Sequence, residues 1–157
     1  MQIKIIAIGK TDHPSILDLQ ELYTDRLSHY IRIEWEIMPD LKNTKSLNQN
    51  QQKAKEGELI LKKINSSDFV LLLDERGKSY SSMDFADFLQ SKMNSGIKQL
   101  ILVIGGPYGF SEEVYQRANS KISLSKMTFS HQMIRPFLAE QLYRAMTILR
   151  GEPYHHE

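Results

Sequence analysis

The stretch LILVIGGPYGF, residues 100–110, joins an apolar run to a glycine-rich corner. The apolar run is typical of a buried strand. The corner matches neither common phosphate motif, because G-x-G-x-x-G begun at Gly105 would need glycine at Pro107 and Phe110. A P-loop would need Gly-Lys where the chain has Phe110 and Ser111. The corner is therefore either a tight turn or the edge of a site for a ligand without phosphates.

The segments around this stretch alternate between strand-like and helix-like patterns. Strands are predicted at 3–9, 31–38, 69–77 and 100–104, with a last short strand plus loop in 121–129. Five helices are predicted: one that begins at Pro14, and others at 57–64, 84–93, 112–119 and from about Pro136 to Gly151. Ser82 is expected to cap the helix at 84–93, and Ser111 the helix at 112–119. Strict alternation in 31–38 places that strand near a sheet edge. The chain is thus predicted to be α/β, with a largely parallel sheet flanked by helices on both faces.

Two segments leave their interpretation open. Residues 40–55 are polar, without a clear apolar period, and are expected to begin as a mobile loop. The final helix has an apolar face that belongs either to the core or to a dimer interface: Phe137, Leu138, Leu142, Ala145, Met146 and Leu149.

Composition narrows the class of protein. The 157 residues fit one domain spanning 1–157, with 41% hydrophobic and 25% charged residues. The net charge of +1 means that any nucleic acid must be held by a local patch. The chain has no cysteine, which excludes disulfides and thiol nucleophiles. Because neither a signal-peptide core nor an apolar run long enough for a membrane is present, we expect a soluble, cytoplasmic protein.

In parallel sheets, ligands bind beyond the carboxyl ends of the strands. Three such ends are candidates here: Leu73-Asp74, Gly105-Gly106 and the loop after Leu124. Glu112 and Glu113 would lie in the first helical turn after the corner and repel an anion. S-adenosylmethionine, which has no phosphate and carries a sulfonium cation, fits these ends. Asp74 and Glu75 are either catalytic carboxylates or simple turn formers.

The sequence gives less support to a metal site, to a hydrolase and to a nucleic-acid surface. The five histidines, at 13, 29, 131, 155 and 156, lack metal-ligand spacing, so no metal site is expected. No G-x-S-x-G elbow is present. Cations and an aromatic in 121–157 could bind phosphates and stack bases, or could form a solvated helix face and a frayed tail.

Four segments together carry a resemblance: IKIIAIGK (3–10), VIGGPYGF (103–110), ISLSKMTFSHQMIR (122–135) and LAEQLYRAMTILRGEPYHH (138–156). In this order, with KEGE at 55–58 and the terminal PYHHE, the chain closely resembles the RlmH family of SPOUT-class methyltransferases. The likeness runs over the whole length. It implies methylation of N3 of a pseudouridine in large-subunit ribosomal RNA.

The resemblance also implies a fold and a set of site residues. The fold would be SPOUT-type, with a C-terminal trefoil knot that ordinary connection rules would exclude, and the protein would be a homodimer. Carried over residue by residue, the S-adenosylmethionine positions are Leu73, Gly105, Leu124, Ser125, Lys126, Met127, Thr128 and Phe129. Glycines at 105 and 106 would let the main chain approach the ligand.

Catalysis would need a base, because an imide nitrogen attacks only after losing its proton. The candidates are His155 and Glu157, in the tail that the resemblance implies lies near the cofactor. Arg135 and Arg144 would place phosphates, and Tyr154 would orient the target base together with His155. The alternatives are a non-catalytic ribosome-binding module, an α/β nucleotide or flavin binder, and a SPOUT enzyme acting on transfer RNA. An assembled ribosome is expected as substrate, because the low net charge favours a preformed surface with many contacts.

Overall fold

The computed structural model describes residues 1–41 and 46–156. The strands are β1 (Gln2–Ile8), β2 (Ile33–Met38), β3 (Phe69–Ser79), β4 (Gln99–Ile104) and β5 (Ser120–Ser123). The helices are α1 (Pro14–Ser28), α2 (Gln49–Leu61), α3 (Ser82–Asn94), α4 (Glu112–Arg117) and α5 (Ile134–Arg150). Residues 42–45 of the predicted 40–55 loop lie outside the described residues, whereas 49–55 belong to α2, which begins earlier than predicted because Asn48 and Gln51 form a capping box.

The five strands form one sheet in the order β2-β1-β4-β3-β5, with parallel pairing throughout. The predicted α/β class, the parallel sheet and the edge position of β2 are therefore confirmed. The trefoil knot stays a prediction. Pairing between β3 and β5 shifts register between Leu73 and Lys78, so the long β3 strand bends around the short β5.

Alternation along the central strands gives the sheet two apolar faces. On one face, Ile3 and Ile5 of β1 pack under α1, α3 and α5. On the other face, Ile6 and Ile8 pack under α2 and α4. Because the side chains of a strand point alternately to opposite faces, a nearly continuous apolar strand such as β1 is needed to fill both layers. Helices cover both faces, as predicted.

The final helix resolves one open interpretation. Leu138, Leu142 and Ala145 are buried in the core, whereas Phe137 is 44% exposed. The apolar face of α5 is thus mainly core, and Pro136 lies in its first turn as predicted. The helix ends at Gly151, whose φ of 66° places it in the left-handed conformation that favours glycine.

Two predicted caps differ from the structure. The N-cap of α3 is Ser81 rather than Ser82, because Asp84 lies three residues after Ser81 and completes a capping box with it. Ser111 does occupy the N-cap position of α4, but its hydroxyl makes no capping hydrogen bond. Within the described residues, no helix is both long enough and apolar enough to cross a membrane.

Candidate functional site

A cleft of about 340 Å³ lies beyond the carboxyl ends of β3 and β4 and beside the segment that follows β5. Its lining comes mainly from three stretches, 73–76, 104–110 and 122–129. These are the three strand ends selected from the sequence. Seven of the eight predicted donor positions line it: Leu73, Gly105, Leu124, Ser125, Met127, Thr128 and Phe129. Lys126 is exposed and is not part of the lining.

The glycine-rich corner is a tight turn that also forms one wall of the cleft. The amide of Gly109 donates to the carbonyl of Gly106 at 3.1 Å, and Gly109 has a φ of 79°. A Cβ on Gly105 would lie 3.1 Å from the Phe110 ring, and one on Gly106 would lie 2.4 Å from Oε2 of Glu56. A side chain at Gly105 would crowd the Phe110 ring and one at Gly106 would displace the Glu56 carboxylate, so packing behind the wall is a second reason for glycine beside the ligand approach expected from the sequence.

The segment after β5 holds its shape through short local contacts. The Ser123 hydroxyl donates to the Ser125 carbonyl at 2.7 Å, and the Met127 amide donates to the Ser125 hydroxyl at 2.9 Å. Thr128 donates to Oε2 of Glu75 at 3.2 Å, which ties the segment to the end of β3. Met127 is 76% exposed, so its thioether side chain is available to cover a ligand in the cleft.

Asp74 links the end of β3 to helix α4 at the side of the cleft. Its side chain is 6% exposed and accepts hydrogen bonds from the Tyr115 hydroxyl at 2.5 Å and the Arg76 amide at 2.8 Å. Burial by itself raises the pKa of Asp74, but the hydrogen bonds from Tyr115 and Arg76 hold it below its usual value. Burial and the bond to Asp74 raise the pKa of Tyr115 to about 12. Asp74 is therefore an ionised acceptor that joins the end of β3 to Tyr115 of α4.

Glu56 is a site-adjacent residue that the sequence reasoning did not single out. Its side chain is buried behind Gly106, and Gln52 donates to its Oε1 at 2.8 Å. Its Oε2 has no hydrogen-bond partner among the described residues. Burial raises the pKa of Glu56, and nearby Asp40 adds to this rise. The signal available in the sequence was an acidic residue on a face of α2 that carries Ile60 four residues later.

Arg135 differs from its predicted role as an RNA contact. Its side chain is fully buried, and its guanidinium donates to the carbonyls of Ile8 and Gly9, both at 2.8 Å. It also donates to the His131 carbonyl at 3.0 Å and to the Thr11 hydroxyl at 2.9 Å. Burial lowers the pKa of Arg135. The guanidinium thus ties the start of α5 to the end of β1 and presents no free surface to a phosphate.

The predicted tail residues, which follow the end of α5, form a separate cluster against the side of that helix. Arg144 pairs with Glu140, and its guanidinium lies 4.7 Å from the centre of the Tyr154 ring. His155 Nδ1 lies 3.4 Å from the same guanidinium, and the Tyr154 hydroxyl donates to Glu140 at 3.1 Å. Glu157 lies outside the described residues.

This tail cluster does not line the cleft of its own chain. Ile134 lines the cleft at the start of α5, and Arg144 lies ten residues further along the helix. At 1.5 Å per residue, that spacing corresponds to about 15 Å along the axis. The structure therefore brings the predicted donor residues together, but it separates them from Tyr154 and His155 within one chain.

The cleft is suited to a small, cationic ligand. Its volume lies within the roughly 300–1,000 Å³ of typical small-molecule sites. Apolar Leu73, Leu124 and Met127 line it together with the carboxylates of Asp74 and Glu75, a set that fits an adenosine next to a sulfonium and an ammonium group. Among the described residues, no three His, Cys, Asp or Glu side chains are grouped to hold a metal ion.

A parallel α/β sheet with a cleft beyond the carboxyl ends of its strands is typical of α/β proteins that bind a small ligand. The chain belongs to the SPOUT methyltransferase family, because a family model described as "Predicted SPOUT methyltransferase" matches residues 1–155. The family predicted from the sequence motifs is thereby confirmed.

Individual relatives agree with this assignment. Over 156 residues, covering 99% of both chains, the chain is 65% identical to a protein of Christiangramia forsetii named ribosomal RNA large subunit methyltransferase H. It is 61% identical over the full length of both chains to a protein of the same name from Flavobacterium johnsoniae. A solved probable methylase family protein from Haemophilus influenzae Rd KW20 aligns with a TM-score of 0.53 over 99% of this chain and 70% of that chain. At 14% identity, the last likeness concerns the fold alone.

Proposed function

We propose that this protein transfers a methyl group from S-adenosylmethionine to N3 of a pseudouridine in large-subunit ribosomal RNA, and that the assembled ribosome is its substrate. The names of the full-length relatives support methylation of ribosomal RNA. The observation that carries the donor assignment is the cleft itself, where seven of the donor positions proposed from the sequence lie together. The pseudouridine and the assembled ribosome rest on the family resemblance and the low net charge.

The residues of the cleft have distinct roles in this proposal. Leu73, Leu124 and Met127 pack the adenosine, while backbone groups of the corner and of the segment after β5 bind its polar edge. The carboxylates of Asp74 and Glu75 offset the positive charge of the donor. When bound, S-adenosylmethionine supplies the methyl carbon, which N3 attacks in line as the carbon–sulfur bond breaks. Fixed alignment of the two reactants contributes much of the rate, and a base that takes the N3 proton contributes the rest.

The base in this proposal comes from the tail of a second copy. Tyr154 and His155 contact Glu140 and Arg144 of α5 and do not line the cleft of their own chain, so a homodimer would let one tail serve the partner cleft. Exposed Leu19 and Leu22 lie about 60° apart around α1, the helix that packs against α5, and their apolar surface supports an interface of this kind. Arg144 and Tyr154 would then hold the target nucleotide while His155 or Glu157 accepts the proton.

The decisive experiment is methyl transfer from labelled S-adenosylmethionine to ribosomes purified from cells that lack the gene. Free ribosomal RNA and transfer RNA are assayed alongside, and the methylated nucleoside is mapped. We expect label at N3 of a large-subunit pseudouridine, with ribosomes accepting it faster than free RNA. Label on transfer RNA alone would refute the substrate assignment, and equal transfer to protein-free RNA would refute the requirement for an assembled particle.

A cleft variant tests the donor site independently of the RNA. Ser125→Trp places a bulky ring in the lining, whereas Ser91→Trp makes the same change on the exposed surface of α3. Calorimetric titration with S-adenosylmethionine should give at least tenfold weaker binding for the first variant and unchanged binding for the second. If neither the wild type nor the control binds the donor, the donor assignment is refuted and the alternative of a non-catalytic module is favoured.

A further inference from the structure

A second, more open groove of about 700 Å³ lies next to the donor cleft. Its lining is drawn from 76–78 at the end of β3, from 118–121 at the start of β5, and from two residues of α4. Arg76 and Tyr115 line both the groove and the donor cleft. A molecule lying in the groove would therefore reach the edge of the place where the methyl donor is proposed to bind.

The groove concentrates positive charge in a chain that is almost neutral. Three exposed cations, Arg76, Lys78 and Lys121, line it against one carboxylate, Glu112, while the whole chain carries +1. Within the described part of the chain, neither lysine forms an ion pair, and Arg76 has only a long contact of 3.7 Å to Asp74. Charge that is not neutralised internally remains available to an anion.

The backbone under these cations is rigid. A Cβ on Gly77 would lie 2.5 Å from the main chain of Ile122, so β3 and β5 are in direct backbone contact between Arg76 and Lys78. The register places Lys78 beside Ile122, next to Lys121 in the chain. The backbone positions of the cations therefore have a fixed spacing on two paired strands, which lowers the entropic cost of binding an extended polyanion.

The polar character of the groove indicates what it would bind. Tyr115 lines the groove, and the Lys121 ammonium lies 5.3 Å from the centre of its ring, whereas the Lys78 ammonium lies 4.4 Å from the ring of Tyr80, outside the groove lining. No open aromatic platform for base stacking remains in the groove among the described residues. Ammonium and guanidinium groups beside the polar side chains of Asn119 and Ser120 suit phosphates and sugar hydroxyls instead.

We propose that this groove binds the sugar–phosphate backbone of the substrate RNA beside the nucleotide that is methylated. The inference rests on the proposed function and extends it, since it assigns Arg76, Lys78 and Lys121 as RNA-positioning residues outside the donor cleft. Contacts to phosphates fix the register and orientation of a nucleic acid without reading its sequence. The groove would therefore contribute affinity and placement rather than base specificity.

The test compares two doubly substituted proteins with the same loss of charge. Lys78→Gln/Lys121→Gln alters the groove, whereas Lys62→Gln/Lys98→Gln alters exposed lysines that precede β3 and β4 and are not part of the groove lining. Binding to large ribosomal subunits is measured at several salt concentrations, alongside donor binding and the urea midpoint. For the groove variant we expect roughly tenfold weaker RNA binding and a salt slope smaller by about 1 for each lost phosphate contact.

The same variant should raise the KM for ribosomes while leaving kcat at saturation and donor affinity unchanged. The control variant should match the wild type in all measurements. An unchanged salt slope for the groove variant would overturn the inference, even if methylation of ribosomes is confirmed. If methylation fails but the slope still falls, the groove binds RNA and only the proposed reaction is wrong.

A measurement on the unaltered protein guards against a variant that does not fold. Lysine acetylation of the wild type is mapped by mass spectrometry with and without large subunits. Protection of Lys78 and Lys121, with continued labelling of Lys62 and Lys98, is the expected result. Equal labelling of all four lysines would overturn the inference, as would protection by inorganic triphosphate but not by RNA, which would assign the groove to a small phosphate ligand.

Discussion

Arg135→Met should unfold the protein far more readily than the loss of a surface arginine. The side chain is fully buried, and its guanidinium is the donor to the carbonyls of Ile8 and Gly9. Methionine fills much of the same space but donates nothing, so both carbonyls lose this partner. A buried polar group without a partner costs about 1–3 kcal/mol, which gives a loss of roughly 2–6 kcal/mol for the pair. This is a large part of the 5–15 kcal/mol that is typical of a folded domain.

Urea unfolding followed by the fluorescence of Trp35 measures this loss. With a slope of about 2 kcal/mol per molar urea, the midpoint should fall by roughly 1–3 M. Arg150→Met, at the exposed end of the same helix, is the control and should shift the midpoint by less than about 0.5 M. Arg135→Lys keeps the charge and should be intermediate. A midpoint equal to that of the control, together with weaker RNA binding, would refute the structural role and return Arg135 to the RNA surface.

Three further perturbations test other parts of the site. Gly77→Ala should cost about 1–3 kcal/mol in urea unfolding, because the new Cβ meets the backbone of Ile122 at 2.5 Å; a stability within 0.5 kcal/mol of wild type would contradict this packing. Glu56→Gln should stabilise the protein at neutral pH, since burial raises the pKa of this carboxyl, and the gain should vanish below about pH 4, where the carboxyl is protonated in both states. Tyr115→Phe should raise the pKa of Asp74, measurable by NMR titration, and cost about 1–2 kcal/mol at neutral pH. Because the folded pKa of Asp74 is depressed, that cost should shrink as pH falls through it, and a cost independent of pH would rule out the linkage.

Much of the candidate site could be read from local patterns. The ends of β3 and β4 were visible because apolar runs stop at Asp74 and at Gly105. Parallel strands place such ends at one edge of the sheet, so these strand ends were expected to form the site, whereas the individual donor positions followed from the family resemblance. Lys126 is the one predicted donor position that does not line the cleft, although its neighbours in the chain do. The direction of a side chain in an irregular loop follows no periodic pattern, so the sequence could not predict this.

The residues that sequence reasoning misjudged are those whose environment depends on distant parts of the chain. Arg135 was expected on a surface because arginine is seldom fully buried, but its carbonyl partners lie 127 and 126 positions away. Glu56 was not predicted as part of the site because Gly106, which it contacts in space, lies 50 residues later in the chain. The position of the tail near the donor stays a prediction, because within one chain Tyr154 and His155 are not part of the cleft lining and a partner chain would have to supply them.

The sequence by itself determined the order of strands and helices, the two apolar faces of the central strands and the ends of α5. These features depend on local patterns, namely the alternation of residues along a strand, Pro136 near the start of α5 and Gly151 at its end. Only the tertiary structure decided the strand order β2-β1-β4-β3-β5, the bend of β3 around β5 and the burial of Arg135. These features arise from pairings between residues far apart in the chain. Their free energy comes from hydrogen bonds and packing that exist only once the elements have met, so no local pattern records them.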